Sequence, residues 1–196
     1  IANGNLTCCF AFEEGPRHNP KISEVTAEKK GEKFLINGKK CFVVDGGFAD
    51  LIIIAAKSSK GTSLFLAQKD SKGIEVKEAK MVDSRNSANI LFTGLEINSE
   101  NVLGEIDNAQ DTIEEVLDIA RAAISAEMLG GALEAFEITV NYLKEREQFG
   151  VKIGSFQALQ HRAANMFTEL ELCKSCVLES LSCFEEKSND VPRIVS

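Results

Sequence analysis

The feature that most constrains this chain is a change of hydrophobic period near residue 107. Before it, apolar residues come in short runs separated by glycine or asparagine; after it, they recur three and four apart. The three prolines are Pro16, Pro20 and Pro192, so glycine supplies the punctuation between residues 21 and 191, and it stops being dense at Gly104. Strands collected in one half and helices in the other predict an α+β chain of more than one domain, because interleaved α/β folds alternate the two periods throughout. Residues 1–105 read as an antiparallel β sandwich or barrel. Residues 106–196 read as long antiparallel helices of an incomplete bundle.

Within the first half, Lys33–Ile36 is expected to pair with Cys41–Val44 across Asn37-Gly38, a dipeptide suited to the positive φ angles of a tight hairpin. Further strands are expected at Ala49–Ala56, Thr62–Ala67, Ile74–Val76 and Ala88–Phe92, the last leading to Asn101-Val102-Leu103-Gly104. In the second half, Ile113, Val116, Ala120, Ile124 and Met128 continue through Phe136 and Val140 to Leu143, a helix of roughly 50 Å at 1.5 Å per residue. Gly130-Gly131 inside it predicts a close crossing with another helix. After a break at Phe149-Gly150, a second helix carries Phe156, Leu159, Ala163, Met166, Leu170, Cys173 and Val177. Two such helices cannot bury both stripes against each other, so more sequence or another subunit is expected to cover them. The chain also starts at Ile1, inside what reads as a strand, and is expected to be a fragment.

The net charge, 22 − 30 = −8, argues against a nucleic-acid surface, which needs clustered cations. An apolar fraction of 44% supplies a real core. No run approaches the length of a membrane span, and the start lacks the pattern of a secretory signal. The six cysteines read as free thiols of a reducing compartment, cytoplasm or mitochondrial matrix. Cys173-x-x-Cys176 lies in a helical pattern without a second ligand pair, so no metal site is expected.

The segment Tyr142-Leu143-Lys144-Glu145-Arg146-Glu147-Gln148-Phe149-Gly150, with Phe156-Gln157 and Gln160-His161, resembles the acyl-CoA dehydrogenase flavoprotein family. That family has Tyr-x-x-x-Arg-x-x-Phe-Gly at the end of one long helix and Phe-Gln-x-x-Gln-His at the start of the next. Ile36-Asn37-Gly38-x-Lys40, Gly46-Gly47-Phe48-Ala49-Asp50, Asn101–Gly104 and Asp118-Ile119-Ala120-Arg121 agree in order. The resemblance implies a middle β domain followed by the first part of a C-terminal helical domain, FAD as cofactor, an acyl-CoA thioester as substrate, and a homo-oligomer, dimer or tetramer.

By that resemblance, Arg146 reaches the FAD pyrophosphate, and Gln148, Phe149 and Gln157 contact the adenosine half; otherwise Arg146 is an exposed cation at a helix end. Asp118 and Arg121 are implied acyl-CoA contacts, or else an ordinary ion pair three residues apart. Phe42 and Val44 stand where the family has Trp and Thr against the flavin, and Phe12 replaces a second threonine, so two hydroxyls are lost while the Phe42 face remains. The small-residue loop of the family becomes Gly15-Pro16-Arg17-His18-Asn19-Pro20, whose lone His18 reads as solvated. Some members place a catalytic glutamate at the position of Ala120; no catalytic residue is visible here. The implied function is α,β-dehydrogenation of an acyl-CoA by a divergent dehydrogenase or a relative such as an oxidase or flavin monooxygenase. The alternative is a non-catalytic binding or oligomerisation module of the same fold.

Overall fold

A computed structural model describes residues 1–22, 24–83, 85–185 and 190–195. The chain packs as two compact units, Ile1–Glu114 and Glu115–Ser196. The first holds eight strands: β1 (Cys8–Ala11), β2 (Thr26–Lys30), β3 (Lys33–Val44), β4 (Leu51–Lys57), β5 (Thr62–Gln68), β6 (Ile74–Lys80), β7 (Asn86–Asn98) and β8 (Val102–Leu103). They pair in the order β6-β7-β3-β2-β4-β5-β8, with β1 added to β4. The sheet is not closed into a barrel. It folds over itself as a sandwich: Phe34 of β3 meets Phe65 of β5 at 5.1 Å between ring centroids although β2 and β4 lie between them in the sheet. Ile36, Ile52, Ile54, Phe65 and Ile90 fill this core completely buried, each contributing about 1.5–3 kcal/mol of transfer free energy.

Three expectations about the strands fail. The first strand starts at Cys8, so Ile1 lies outside it. The sheet is not wholly antiparallel, since β1 runs parallel to β4 from Cys8↔Leu51 to Ala11↔Ile54. Asn37-Gly38 is no hairpin but the middle of the single 12-residue strand β3. The hairpin lies earlier, at Gly31-Glu32 between Lys30 and Lys33. Long-range pairing with β7 from Lys33↔Asn98 to Val44↔Ser87 overrides the local turn preference, which survives as a register shift between Ile36 and Gly38. There Asn37 Oδ1 accepts the Gly94 N–H at 2.7 Å.

The second unit is built on two helices. α1 (Gln110–Glu145) begins three residues later than the period suggests, because Asp107 is held in a left-handed conformation, φ 65°. Its carboxylate accepts the hydroxyls of Ser58 and Ser59 and the N–H of Lys60, and Ala109 N–H reaches Thr62 C=O at 2.9 Å. The Ser58 hydroxyl above all holds the Asp107 carboxyl below the usual range. A short ladder of β9 (Glu147–Gln148) and β10 (Val151–Lys152) turns the chain into α2 (Gln157–Glu185), and α3 (Val191–Val195) follows. α1 and α2 are antiparallel neighbours, with Phe136 and Phe167 rings 6.2 Å apart. The face of α1 towards α2 carries Ala122, Leu129 and, of the expected stripe, Phe136; Ile113 of that stripe is buried, while its Val116, Ile124 and Met128 stay exposed, Met128 by 68%. Apolar residues occur on more than one side of α1, and one partner helix covers only one of them. A β-carbon on Gly130 or Gly131 would meet nothing within 4 Å, so no helix among the described residues crosses there. All six cysteines are free. No helix among the described residues is long and apolar enough to cross a membrane.

At Gly38, φ is 131° and a β-carbon would fall 2.8 Å from Val25 Cα, a backbone atom that cannot step aside. Gly38→Ala is therefore expected to cost about 2 kcal/mol or more. Urea unfolding reads this directly, and an unchanged midpoint would contradict the close approach.

Candidate functional site

In the first unit the candidate site is organised by a buried cation. Lys40 sits on β3 with 0% exposure, and its ammonium donates to Phe12 C=O at 2.8 Å and to Glu14 Oε1 at 3.1 Å. Both Glu14 oxygens also accept backbone N–H groups, Oε2 from Glu24 and Oε1 from Val25, each at 2.9 Å. One carboxylate thus ties the two ends of the loop between β1 and β2 to β3. Burial outweighs Glu14 and pushes the Lys40 pKa down to about 8. One residue on, Cys41 N–H reaches Glu13 C=O at 2.7 Å.

Between Lys40 and Val43 the register with β7 shifts, so Phe42 has no partner across the ladder. It adopts a left-handed φ of 49° and is 57% exposed. An exposed aromatic in that region is strained, and such strain collects at functional sites. Val44, 52% exposed, offers only methyl groups.

The loop contains a pair that the sequence does not announce. His18, expected to be merely solvated, has Nδ1 2.5 Å from Glu13 Oε1. Its ring lies 6.1 Å from Phe12.

In the second unit, Arg146, Gln148 and Phe149 lie along one short hairpin, and Gln157 opens α2 beyond it. Arg146 N–H closes on Tyr142 C=O at 2.9 Å, and Arg146 C=O accepts Ile153 N–H at 2.9 Å, so the backbone around the guanidinium is fixed from both sides. Lys152 pairs with Glu147 at 2.7 Å, while Arg146 has no carboxylate partner among the described residues. Phe149 and Gly150 both have positive φ, 56° and 78°, as a two-residue turn of mirror type requires. Glycine suits this; phenylalanine does not, and Phe149 is 90% exposed as well. Asp118 and Arg121 form an ion pair on α1, the aspartate buried and the arginine half-buried. The structure therefore pairs Asp118 with Arg121, sets Arg146, Gln148 and Phe149 within one short stretch of chain and Gln157 at the start of α2, and has Phe42 and Val44 on the first unit. No group of three or more His, Cys, Asp or Glu side chains placed to hold a metal occurs among the described residues.

Residues 9–96 match the acyl-CoA dehydrogenase middle domain, and residues 111–195 match the acyl-CoA dehydrogenase C-terminal domain. The chain belongs to the acyl-CoA dehydrogenase family. It is 31% identical over 89% of its length to the mitochondrial short/branched chain specific acyl-CoA dehydrogenase of Bos taurus, covering 42% of that protein. It is also 31% identical, over 96% of its length, to the caffeyl-CoA reductase-Etf complex subunit CarC of Acetobacterium woodii, covering 52% of it. An acyl-CoA dehydrogenase structure from Geobacillus kaustophilus superimposes with a TM-score of 0.89 at 26% identity, over 98% of this chain and 54% of that one. The chain thus spans about half the length of its relatives.

The Lys40 ammonium sets a pH dependence of stability. Its folded pKa, about 8, lies below the ordinary lysine value of 10.5, so between those values the unfolded chain holds a proton that the folded chain lacks. Stability from this group therefore rises as pH increases from about 8 to 10.5, by about 3 kcal/mol in all. Lys40→Met should remove this rise. The difference in unfolding free energy between wild type and variant, measured at pH 7 and pH 10, checks it; a constant difference would refute it.

Proposed function

We propose that this chain serves FAD-dependent α,β-dehydrogenation of an acyl-CoA thioester. The observation that carries the reading is the hairpin at Arg146–Gly150, where an arginine without a carboxylate partner stands beside an exposed, left-handed phenylalanine. A guanidinium on a fixed backbone suits a pyrophosphate, since its fork meets two oxygens at once, and a protruding aromatic suits a nucleoside face. Gln148 on the hairpin and Gln157 at the start of α2, both exposed, add amide donors and acceptors. On the β unit, Phe42 offers an exposed ring and Val44 an apolar neighbour to a flat ring system. These features fit FAD.

When bound, FAD supplies the acceptor for the hydride leaving the β-carbon. The residues of this chain bind and orient: Arg146, Gln148, Phe149 and Gln157 hold the adenosine and pyrophosphate part, Phe42 and Val44 face the flavin, and Asp118 with Arg121 contacts the acyl-CoA. Ala120 brings a methyl group to the position next to Arg121, so removal of the α-proton falls to another residue. The junction of middle and C-terminal domains is placed at residues 105/106. Free thiols at all six cysteines support a reducing compartment. A second reading, a non-catalytic module of the same fold, is favoured by Phe12 and Val44, which bring no hydroxyl to the flavin.

Three outcomes test this reading. Arg146→Ala should weaken FAD binding roughly ten- to hundredfold, with Lys restoring only part of it. Equal affinity in calorimetric titration would discard the phosphate role, and no FAD binding by the wild type would favour the non-catalytic module. The 196-residue chain by itself should not reduce a dye acceptor when given FAD and acyl-CoA; turnover would show that it holds the base. Met128, Ile138, Phe167, Leu172 and Leu178 leave apolar area exposed on both long helices, which a second copy can cover. Sedimentation at micromolar concentration should find dimers or larger species, and a clean monomer would count against that.

A further inference from the structure

The thiols of Cys173 and Cys176 have no part in the reading above, and they differ from the other cysteines. The Sγ–H groups of Cys8, Cys41 and Cys183 each donate to a backbone carbonyl, at 3.8, 3.6 and 2.9 Å, and Cys9 is buried. Cys173 and Cys176 are both exposed, and neither thiol has a hydrogen-bond partner among the described residues. Three residues apart on α2, they lie on one face with β-carbons about 5–6 Å apart, a span across which two sulfurs can hold one atom between them.

The cavity that they line supplies a third sulfur. α1, α2 and α3 border an open groove of about 470 Å3 within the second unit, and Met128 of α1 lines it together with Cys173 and Cys176 of α2. The thioether sits on three rotatable bonds of a largely exposed side chain, which lets it reach across the groove. The two serine hydroxyls there are committed to their own helices, Ser125 to Arg121 C=O and Ser180 to Val177 C=O, each at 2.8 Å. No histidine, aspartate or glutamate joins the two cysteines as a third ligand among the described residues. The free donors of the groove are therefore two thiols and one thioether. The spacing of the cysteines carries no sign of this, since Met128 comes from the other helix.

Thiolate and thioether sulfurs are soft ligands and select Cu(I). A structural Zn2+ takes four ligands, and Ca2+ and Mg2+ take oxygen, so this set suits neither. Metal sites in helical bundles are built in this way, from side chains on facing helices. We propose that Cys173, Cys176 and Met128 form a binding site for Cu(I), two thiolates coming from successive turns of α2 and the thioether from α1. Binding is ligand exchange without a change of oxidation state: two S–H protons pass to solvent, two copper–thiolate bonds and one copper–thioether bond form, and the cation gives up the ligands that brought it. None of the three residues belongs to the FAD or acyl-CoA reading, so the site stands or falls independently of it.

Cu(I), supplied without oxygen as its acetonitrile complex, is titrated into the 196-residue chain against the chromogenic chelator bicinchoninate, and copper K-edge absorption is recorded on the loaded wild type. The expected result is a single tight equivalent per chain with a first shell made of three sulfurs. Cys173→Ser and Cys176→Ser should each weaken binding roughly a hundredfold or more, since even the loss of an outer-shell partner costs about 10- to 100-fold. Met128→Leu should cause a smaller loss, about tenfold, and Cys8→Ser none. Oxygen or nitrogen in the first shell overturns the site, as does undiminished affinity after replacement of either cysteine or of Met128. A loss in Cys8→Ser as large as in Cys173→Ser places the copper elsewhere and overturns it too. The first shell of the wild type decides the matter even where a variant fails to fold.

Discussion

A single buried ammonium holds the β unit in its functional form. Placing the Lys40 charge out of water costs several kcal/mol, and only good geometry around it offsets that cost. The compensation comes from Glu14 and the Phe12 carbonyl, both in the loop between β1 and β2, so the loop cannot leave without exposing an unpaired charge to the core. Since Glu14 also binds the amides of Glu24 and Val25, the far end of the loop is drawn against β3 where Gly38 leaves room for it. The backbone at Phe42, Glu13 and His18 inherits its position from this arrangement.

How far the sequence shows this depends on how local each determinant is. The switch of period near residue 107 separates strands from helices because it is written in neighbouring residues. The Arg146–Gly150 hairpin is legible for the same reason, its spacing being set within one turn of chain. Asn37-Gly38 misleads because the same dipeptide serves a tight turn or a kink in a long strand, and the choice is made by β7, some fifty residues later. The stripe on α1 misleads differently. A helix with apolar residues on several sides carries no single periodic signal for the face that its neighbour will cover.

The candidate site is legible in part. Phe42 and Phe149 are named by the family resemblance, but that both are forced into left-handed backbone is a property of the register shift and of the two-residue turn. Glu13 and His18 are five residues apart in a segment without regular structure, where no periodicity brings side chains together. Lys40 is legible only as a residue of the family-like Ile36-Asn37-Gly38-x-Lys40 segment, and its burial is not, because its partner Glu14 is 26 residues away and carries no mark. Contacts that depend on tertiary placement of an irregular loop leave no imprint on composition or period.

The last turn of α1, which leads into the hairpin, contains Tyr142, whose carbonyl receives the Arg146 amide and whose side chain is half exposed. It is the one tyrosine of a chain without tryptophan. Ultraviolet emission from this protein therefore arises one helical turn from the Arg146 guanidinium. An absorbing ring settling on Phe149 would lie within energy-transfer range of that phenol, so the intrinsic fluorescence of the molecule serves as a built-in optical gauge of this hairpin.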